Sequence, residues 1–256
     1  ARLRKLGLVP SPICSDAEFL RRVSIDLTGT LPTAEEVEQF LGDRSPDKRD
    51  RKIDELLDRP TFAAWWATKL CDFTGCNPNQ QAELGQELAE QWYMWMYQRL
   101  HEGTPYDEIV ARIMLATGRQ EGEAYDEFAA RTSSYFRDDT PADFTDAYAM
   151  PHYWSRRTLT KPEDKAMAVA HSFLGLRLQC AECHKHPWDQ WTQQDFREFS
   201  RFFSNVRFGV APDARERYGE MAKQFGLQVR GNDGTAIRPD VFAMAQEGRT
   251  IPWREV

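Results

Sequence analysis

The segment LQCAECHKHPWDQW, residues 178–191, is the feature that most constrains the fold of this chain. It contains two of the five cysteines and two of the five histidines found in 256 residues. At these frequencies, Cys-x-x-Cys-His is expected by chance in about two of a thousand chains of this length. Cys180 and Cys183 share a face only if the backbone makes a helical turn, and His184 then follows on much the same side. The segment therefore predicts a helical turn that presents two thiols and an imidazole together.

This arrangement is suited to covalent attachment of a haem. Two thiols one turn apart can form thioether bonds with both vinyl groups, and the imidazole that follows can ligate the iron. We predict one covalently bound haem c, with Cys180 and Cys183 as the attachment sites and His184 as the proximal iron ligand. Because c-type attachment takes place outside the energised membrane, we expect a periplasmic or otherwise extracytoplasmic location, with the leader absent from this chain.

The second axial ligand of the iron has three candidates in the sequence. His171 lies on a predicted helical stripe and is the first candidate for the distal ligand. His152 and Met150, in the segment MPHYW, are the alternatives. A vacant or water-occupied sixth position is also compatible with the sequence.

Three aromatic residues beyond the proximal histidine are expected to contact the cofactor without ligating its iron. His186 is only two residues beyond His184, too near to reach the opposite face of the haem. It is predicted to hydrogen-bond a propionate or to support the site from outside the coordination of the iron. Trp188 and Trp191 are predicted to shield a haem edge, although core tryptophans would give the same pattern.

Other chemistries can use the same residues. Zinc accepts Cys-x-x-Cys with His186 as a third ligand, but no second cysteine or histidine pair completes a closed site. A redox dithiol usually lies on a βα turn, and the chain shows no such alternation. Packed thiols with a hydrogen-bonded histidine would carry no cofactor. Elsewhere, Cys71 and Cys76 in CDFTGC are close enough in sequence to form a disulfide, with free buried thiols as the alternative.

Composition excludes several classes of partner. The formal charge is −7, from 33 basic and 40 acidic side chains that are interspersed along the chain. A duplex nucleic-acid binder needs a basic stripe, which is lacking. No apolar run approaches the roughly 20 residues that a spanning helix requires, so no transmembrane segment is predicted.

Helix signals dominate the sequence. Capping boxes are predicted at Ser15–Glu18 and Thr33–Glu36. Further helix starts are predicted at Ser45–Pro46, Thr104–Pro105 and Thr140–Pro141. Buried stripes are predicted at Leu84, Leu88, Trp92 and Trp95, and at Phe196, Phe199 and Phe203. The predicted fold class is mostly α, an irregular multi-helix domain around a c-type haem motif.

Little β-structure and one domain boundary are expected. NVRFGV and LQVRG are predicted to form at most a small β element near the C-terminal end. Residues 1–210 are interpreted as a helical cytochrome-like domain. Residues 211–256 are interpreted as an irregular C-terminal extension that leads into a further domain.

Two stretches of the chain resemble a known family. EFLRRVSIDLTGTLPTAEEVEQFLGDRSPDKRDRKIDELLDRP (residues 18–60) and FLGLRLQCAECHKHPWDQWTQQDF (residues 173–196) resemble the second cytochrome-like domain of planctomycete secreted proteins, a family formally of unknown function. The resemblance implies a domain outside the cytoplasm, often preceded by a c-type cytochrome domain. It matches Cys180 and Cys183 to the attachment cysteines, His184 to the axial histidine and His186 to the His-Pro that follows. Residues 118–160 and those after 209 have no counterpart in it.

The function expected from these observations is single-electron transfer within a larger extracytoplasmic protein or complex. The partner would be a redox protein or a neighbouring cytochrome domain. A peroxidase-type haem enzyme with an open distal site is the alternative, although the sequence offers no clear distal acid–base pair. A zinc-binding or structural interaction module is the third possibility. We expect an electron-transfer domain rather than a catalyst.

Overall fold

The computed structural model describes residues 2–9, 11–229 and 233–256, and over these residues the chain is mostly helical. The predicted fold class, an irregular multi-helix domain, is confirmed. In the described parts of the chain, β-pairing is limited to two isolated bridges, Gln81 with Arg156 and Gly209 with Glu255. Among the described helices, none combines the length and the apolar character needed to cross a membrane. The chain divides into two compact units, residues 1–67 and residues 68–256.

The first unit is built from short helices joined by capped turns. Its helices are α1 (Arg2–Lys5), α2 (Asp16–Thr28), α3 (Ala34–Gly42), α4 (Lys48–Leu57) and the first half of α5 (Pro60–Thr74). Both predicted capping boxes are confirmed. Ser15 Oγ accepts from the Glu18 amide at 3.3 Å, and Thr33 Oγ1 accepts from the Glu36 amide at 3.2 Å. Because each box satisfies free amides at a helix start, the sequence places these two starts correctly.

One predicted start in this unit is displaced. Ser45 was expected to cap a helix beginning at Pro46, whereas α4 begins at Lys48 after Asp47. The Ser45 amide and hydroxyl both donate to Asp43 Oδ1, at 2.8 and 2.6 Å. The hydroxyl therefore donates to Asp43 in a turn before the helix, and it does not cap α4.

The second unit contains the remaining helices. They are the end of α5, then α6 (Gly85–His101), α7 (Tyr106–Met114), α8 (Tyr125–Ser134), α9 (Pro162–Phe173), α10 (Gln179–Cys183), α11 (Gln193–Arg201), α12 (Arg215–Gln224) and α13 (Pro239–Gln246). Short 3-10 turns occur at Pro78–Gln80, Phe144–Asp146 and Pro151–Tyr153. The stripe predicted for α6 is confirmed at Leu88, Trp92 and Trp95, which are buried, whereas Leu84 precedes the helix and is only partly buried.

The other two proline start signals have different outcomes. α7 begins at Tyr106, one residue after the start predicted at Pro105, because Pro105 takes the N-cap position, where no side chain caps the helix. Thr140–Pro141 does not start an α-helix, and the chain there forms only the 3-10 turn at Phe144–Asp146. Its local acids satisfy the amides instead, because Asp139 accepts from the Thr140 amide and Asp143 accepts from the Thr145 amide.

The C-terminal residues belong to the core of the second unit. Residues 211–256, expected to be irregular, contain α12 and α13, and Val241, Ile251 and Trp253 are buried with residues of α8 and α12. The expected pairing of NVRFGV with LQVRG is not formed by its described residues, and Arg230 and Gly231 lie outside them. Gly209 pairs with Glu255 instead. A domain boundary at residue 210 stays a prediction.

Candidate functional site

The CAECH motif, residues 180–184, begins on the short helix α10. Leu178 and Ala181 are three residues apart and are both buried, so one side of this turn faces the protein. Cys180 and Cys183 occupy the other side and are exposed free thiols. The predicted helical turn is therefore confirmed, and it presents both sulfurs to the surface from one face.

His184 leaves the helix, which the sequence did not predict. Its backbone is extended (φ −154°, ψ 174°), so α10 ends at Cys183, although the His184 amide still donates to the Cys180 carbonyl at 3.2 Å. The exposed ring places Nδ1 2.7 Å from the Lys185 carbonyl oxygen. Because a carbonyl can only accept, Nδ1 carries the hydrogen and Nε2 of the neutral ring is left with a free lone pair. Histidines that ligate metals are held in the same way.

His186 has the opposite arrangement. Its Nδ1 accepts a hydrogen bond from the Trp188 amide at 3.3 Å, so the neutral ring carries its hydrogen on Nε2. The His186 amide donates to the Trp191 carbonyl at 2.8 Å and closes the loop between them. In these tautomers, His184 offers a lone pair for a metal, whereas His186 offers a donor.

The two tryptophans of the loop differ in burial. Trp188 is 92% exposed, whereas Trp191 is partly buried with its ring edge-on to Phe199 at a centroid distance of 6.0 Å. Neither tryptophan lines the cavity that lies beside His152, and neither thiol does. Trp191 belongs to the support of the loop, and Trp188 is free to contact a ligand or a partner.

Helix α11 packs against α10 and supports the motif. The Thr192 amide and the Asp195 amide are both satisfied by the capping box at its start. Gln193 Nε2 donates to the Glu182 carbonyl at 3.0 Å and connects α11 to α10. The predicted phenylalanine stripe is confirmed at Phe196, which is buried on α11, whereas Phe199 is partly buried and the buried Phe203 follows the end of the helix. The backbone of the motif is therefore held by α11, although the side chains of the motif are exposed.

The three distal-ligand candidates lie in different surroundings. His171 is exposed in the last turn of α9. Met150 is fully buried, and its amide donates to the Arg112 carbonyl at 3.1 Å. The ring of His152 lies 3.0 Å from Gln91 Oε1 and stacks on Phe144 at 4.7 Å, and burial lowers its pKa to about 3.

His152 also lines a small cavity of about 70 Å³ that the sequence did not reveal. None of the residues lining this cavity lies between positions 171 and 191. Its wall includes the buried ion pair between Glu83 and Arg254, with a separation of 2.6 Å. Burial raises the pKa of Glu83, and Arg254 opposes that shift. These partners are 171 positions apart, so no sequence pattern could have indicated the pair.

The described residues contain no group of three or more His, Cys, Asp or Glu side chains positioned to hold a metal ion. Cys180 and Cys183 are exposed on the same turn, and His184 and His186 follow in the loop, but these side chains are not gathered into a metal-binding group. The structure places His152 and Met150 inside the fold at other positions.

Fold and site together define a mostly helical protein whose exposed Cys-x-x-Cys-His motif begins on a short surface helix and ends in the loop that follows. The chain belongs to the family described as PSCyt2, a protein of unknown function (DUF1549), whose model matches residues 1–208. This range includes the whole motif and both stretches that carried the resemblance. No curated protein and no solved structure matches the chain. The planctomycete source and the haem implied by the resemblance stay predictions.

Proposed function

We propose that this chain is a c-type haem domain that transfers single electrons within a larger extracytoplasmic protein or complex. Cys180 and Cys183 would hold the haem through thioether bonds, and His184 Nε2 would ligate the iron. The haem iron would supply a one-electron redox couple whose potential depends on its ligands and surroundings. The partner would be a redox protein or a neighbouring cytochrome domain.

The observation that carries this proposal is the contrast between the two neighbouring histidines. His184 donates from Nδ1 to the Lys185 carbonyl, which leaves Nε2 as the unprotonated nitrogen. His186 accepts at Nδ1, which leaves Nε2 as a donor suited to an anionic carboxylate such as a haem propionate. Each of these hydrogen bonds therefore favours the tautomer that the proposed role of its ring requires.

The exposure of the motif favours electron transfer over enclosed catalysis. Cys180, Cys183 and His184 all lie on the surface, so a cofactor attached there would keep an accessible edge. An electron donor or acceptor could approach that edge directly, and Trp188, which is almost fully exposed, could contact it. Of the distal candidates, we retain His171 first, because His152 and Met150 are held in the interior.

The test is expression of the full chain in cells that contain the c-type maturation machinery. We expect the intact mass to increase by one haem and the reduced-minus-oxidised spectrum to show sharp c-type bands. Cys180→Ser with Cys183→Ser should abolish both signals, whereas Cys14→Ser, in the first unit, should leave them unchanged. Stoichiometric zinc without iron, or a chain that gains no mass, would contradict the proposal.

The ligand assignment has a separate test. We expect His184→Ala to retain the covalent mass while changing the spectrum and the reduction potential, because only the axial bond is lost. His186→Gln keeps a side-chain donor and serves as the matched variant, which should retain the axial-ligand spectrum. If His186→Gln changes the axial-ligand spectrum and His184→Ala does not, His186 is the ligand. Rapid binding of cyanide or peroxide to the iron would instead favour the peroxidase alternative.

A further inference from the structure

The end of helix α5 brings Cys71 and Cys76 together in a Schellman motif. Gly75, with φ 78°, provides the left-handed residue that ends the helix. The Cys76 amide donates to the Cys71 carbonyl at 2.9 Å, and the Gly75 amide donates to the Asp72 carbonyl at 3.3 Å. In a Schellman motif, the two residues joined by the hydrogen bond that spans more of the chain also bring their side chains into contact. Here those residues are Cys71 and Cys76. The disulfide considered from the sequence is not formed, and both residues are free thiols.

The two thiols have different environments. Cys71 is buried, whereas Cys76 is only partly buried. The Cys76 thiol can donate to the Ala89 carbonyl, with 3.6 Å between sulfur and oxygen. A hydrogen bond from Cys71 lowers the pKa of Cys76, and Arg156 lowers it further against the effects of burial and Asp72. The bond to Cys76 and burial raise the pKa of Cys71.

A buried cation lies beside this pair. Arg156 is 8% exposed, and none of the described carboxylates forms an ion pair with it. Its guanidinium rests on Gly75, since a Cβ built there would come within 2.3 Å of Nη1. Nε donates to the Tyr153 carbonyl at 2.9 Å, while Nη2 is buried without a hydrogen-bond partner. A buried guanidinium without a counter-ion is costly, and a thiolate at Cys76 would supply the missing negative charge.

We propose that Cys71 and Cys76 form a redox-active dithiol that is oxidised by thiol–disulfide exchange with small-molecule disulfides. Cys76 is the attacking residue, Cys71 is the resolving residue, and Arg156 positions and stabilises the Cys76 thiolate. The exposed pair Cys180 and Cys183 takes no part in this reaction. The assignment is independent of the haem, because it depends only on residues at the end of α5 and on Arg156.

The exchange proceeds in two balanced steps. The Cys76 thiolate attacks one sulfur of the disulfide RSSR, which forms a mixed disulfide and releases RS⁻, and RS⁻ takes the proton that Cys76 had lost. Cys71 then loses its proton and attacks the Cys76 sulfur, which forms the Cys71–Cys76 bond and releases a second RSH. The dithiol loses two electrons, and RSSR is reduced to two RSH.

The chain offers a direct readout of this reaction. Trypsin cleaves after Lys69 and Arg99, and the peptide of residues 70–99 contains Cys71 and Cys76 and no other cysteine. The full chain is equilibrated with mixtures of reduced and oxidised glutathione, quenched with acid, alkylated and digested. We expect this peptide to be doubly alkylated under reducing conditions. Under oxidising conditions it should carry no alkyl group and weigh two hydrogen atoms less than the reduced, unalkylated peptide, with a single two-electron transition between the two forms. A peptide that stays doubly alkylated in fully oxidised glutathione would overturn the proposal.

Single-cysteine variants assign the two roles. Cys71→Ser leaves Cys76 free, and we expect it to accumulate the glutathione mixed disulfide in the 70–99 peptide. Cys76→Ser leaves the buried Cys71, which we expect to react at least about tenfold more slowly, because its thiolate fraction is lower. Equal rates, or a faster reaction at Cys71, would overturn the order of attack. Circular dichroism of both variants shows whether the helices are retained.

The role of Arg156 is tested in the Cys71→Ser background. We expect Arg156→Gln to slow alkylation of Cys76 at neutral pH by about tenfold and to move the pH profile of the rate upward, because a one-unit rise in thiol pKa has that effect. Arg156→Lys should restore most of the rate. The neighbouring exposed Arg157→Gln is the matched control and should leave the profile unchanged. An identical profile in Arg156→Gln would remove Arg156 from the mechanism.

Discussion

The Ser133 hydroxyl is a single-residue anchor for the C-terminal segment. It is buried at the end of α8, and its oxygen accepts from the Ile251 amide at 3.0 Å and from the Trp253 indole N–H at 2.9 Å. A hydroxyl oxygen has two lone pairs, so both are in use. One side chain therefore satisfies two buried donors that lie about 120 positions further along the chain.

We predict that Ser133→Ala lowers the free energy of unfolding by about 2–4 kcal/mol, because two buried donors lose their acceptor. The neighbouring Ser134→Ala is the control. Ser134 Oγ donates only to the Arg131 carbonyl within the same helix turn, and its removal should cost less than about 1 kcal/mol. Urea denaturation of both variants measures the difference, and equal midpoints would refute the anchor.

His152 makes stability depend on pH. Its pKa of about 3 lies below the value of about 6.5 in an unfolded chain, so between these pH values only the unfolded state binds the proton. The contribution of neutral, buried His152 to the free energy of unfolding is therefore fully present above about pH 6.5 and is lost as the pH falls toward 3. The residue keeps some contact with solvent, so we expect about 1–2 kcal/mol less stability at pH 5 than at pH 7, below the limit for one proton.

The pH dependence is assigned by comparing two histidine variants. His152→Gln should remove this part of the loss between pH 7 and pH 5, because a glutamine does not titrate. His101→Gln, at the exposed end of α6, should retain it. Free energies of unfolding at the two pH values give the comparison. A loss that persists unchanged in His152→Gln would show that another group causes it.

At the scale of the helices, a comparison of two glycines distinguishes the cost of backbone strain from the cost of steric contact. Gly29 ends α2 and Gly103 follows α6, and both have φ 69°. A Cβ at Gly29 would lie 2.6 Å from ring atoms of Trp65, whereas a Cβ at Gly103 would have no atom within 4 Å. The left-handed conformation alone costs about 1 kcal/mol for a residue other than glycine.

We therefore predict that Gly103→Ala destabilises its unit by about 1 kcal/mol, and that Gly29→Ala destabilises its unit by about 2–4 kcal/mol, because overpacking adds to the strain. Thermal and urea unfolding of each variant provide the values. If the two substitutions cost the same, Trp65 moves aside at little cost and the contact does not contribute.

At the scale of the whole molecule, the C-terminal residues complete the core of the second unit. Ile251 and Trp253 pack with Phe136, and the Tyr125 hydroxyl both donates to the Trp253 carbonyl at 2.9 Å and accepts from its amide at 3.0 Å. The family match ends at residue 208, yet this core continues to Trp253.

We predict that a chain ending at residue 210 loses the cooperative unfolding of the second unit. The truncation removes α12, α13 and the Trp253 side chain, which leaves the apolar face of α8 exposed to water. Near-ultraviolet circular dichroism should weaken, and binding of a hydrophobic dye should increase relative to the full chain. A truncated chain with the same unfolding midpoint would instead support a domain boundary at residue 210.

Elements whose deciding contacts lie within one or two helical turns are predictable from the sequence. The capping boxes at Ser15 and Thr33 and the stripe of α6 follow from spacings of three and four residues. The helix starts expected at Ser45 and Thr140 do not form there, and nearby aspartates accept hydrogen bonds from the two hydroxyls that would have capped them. The same short range explains why the thiols of α10 could be placed on one face.

The sequence by itself determined the helical class and the pairing of Cys180 with Cys183, because periodicity and capping act between near neighbours. Only the tertiary structure decided that Arg156 lies against Gly75, beside Cys76, and that Ser133 holds Trp253. These partners are about 80 and 120 positions apart, and no repeat in the sequence connects them. Contacts of this kind form only when the chain has packed, because burial selects partners by shape and charge and not by spacing.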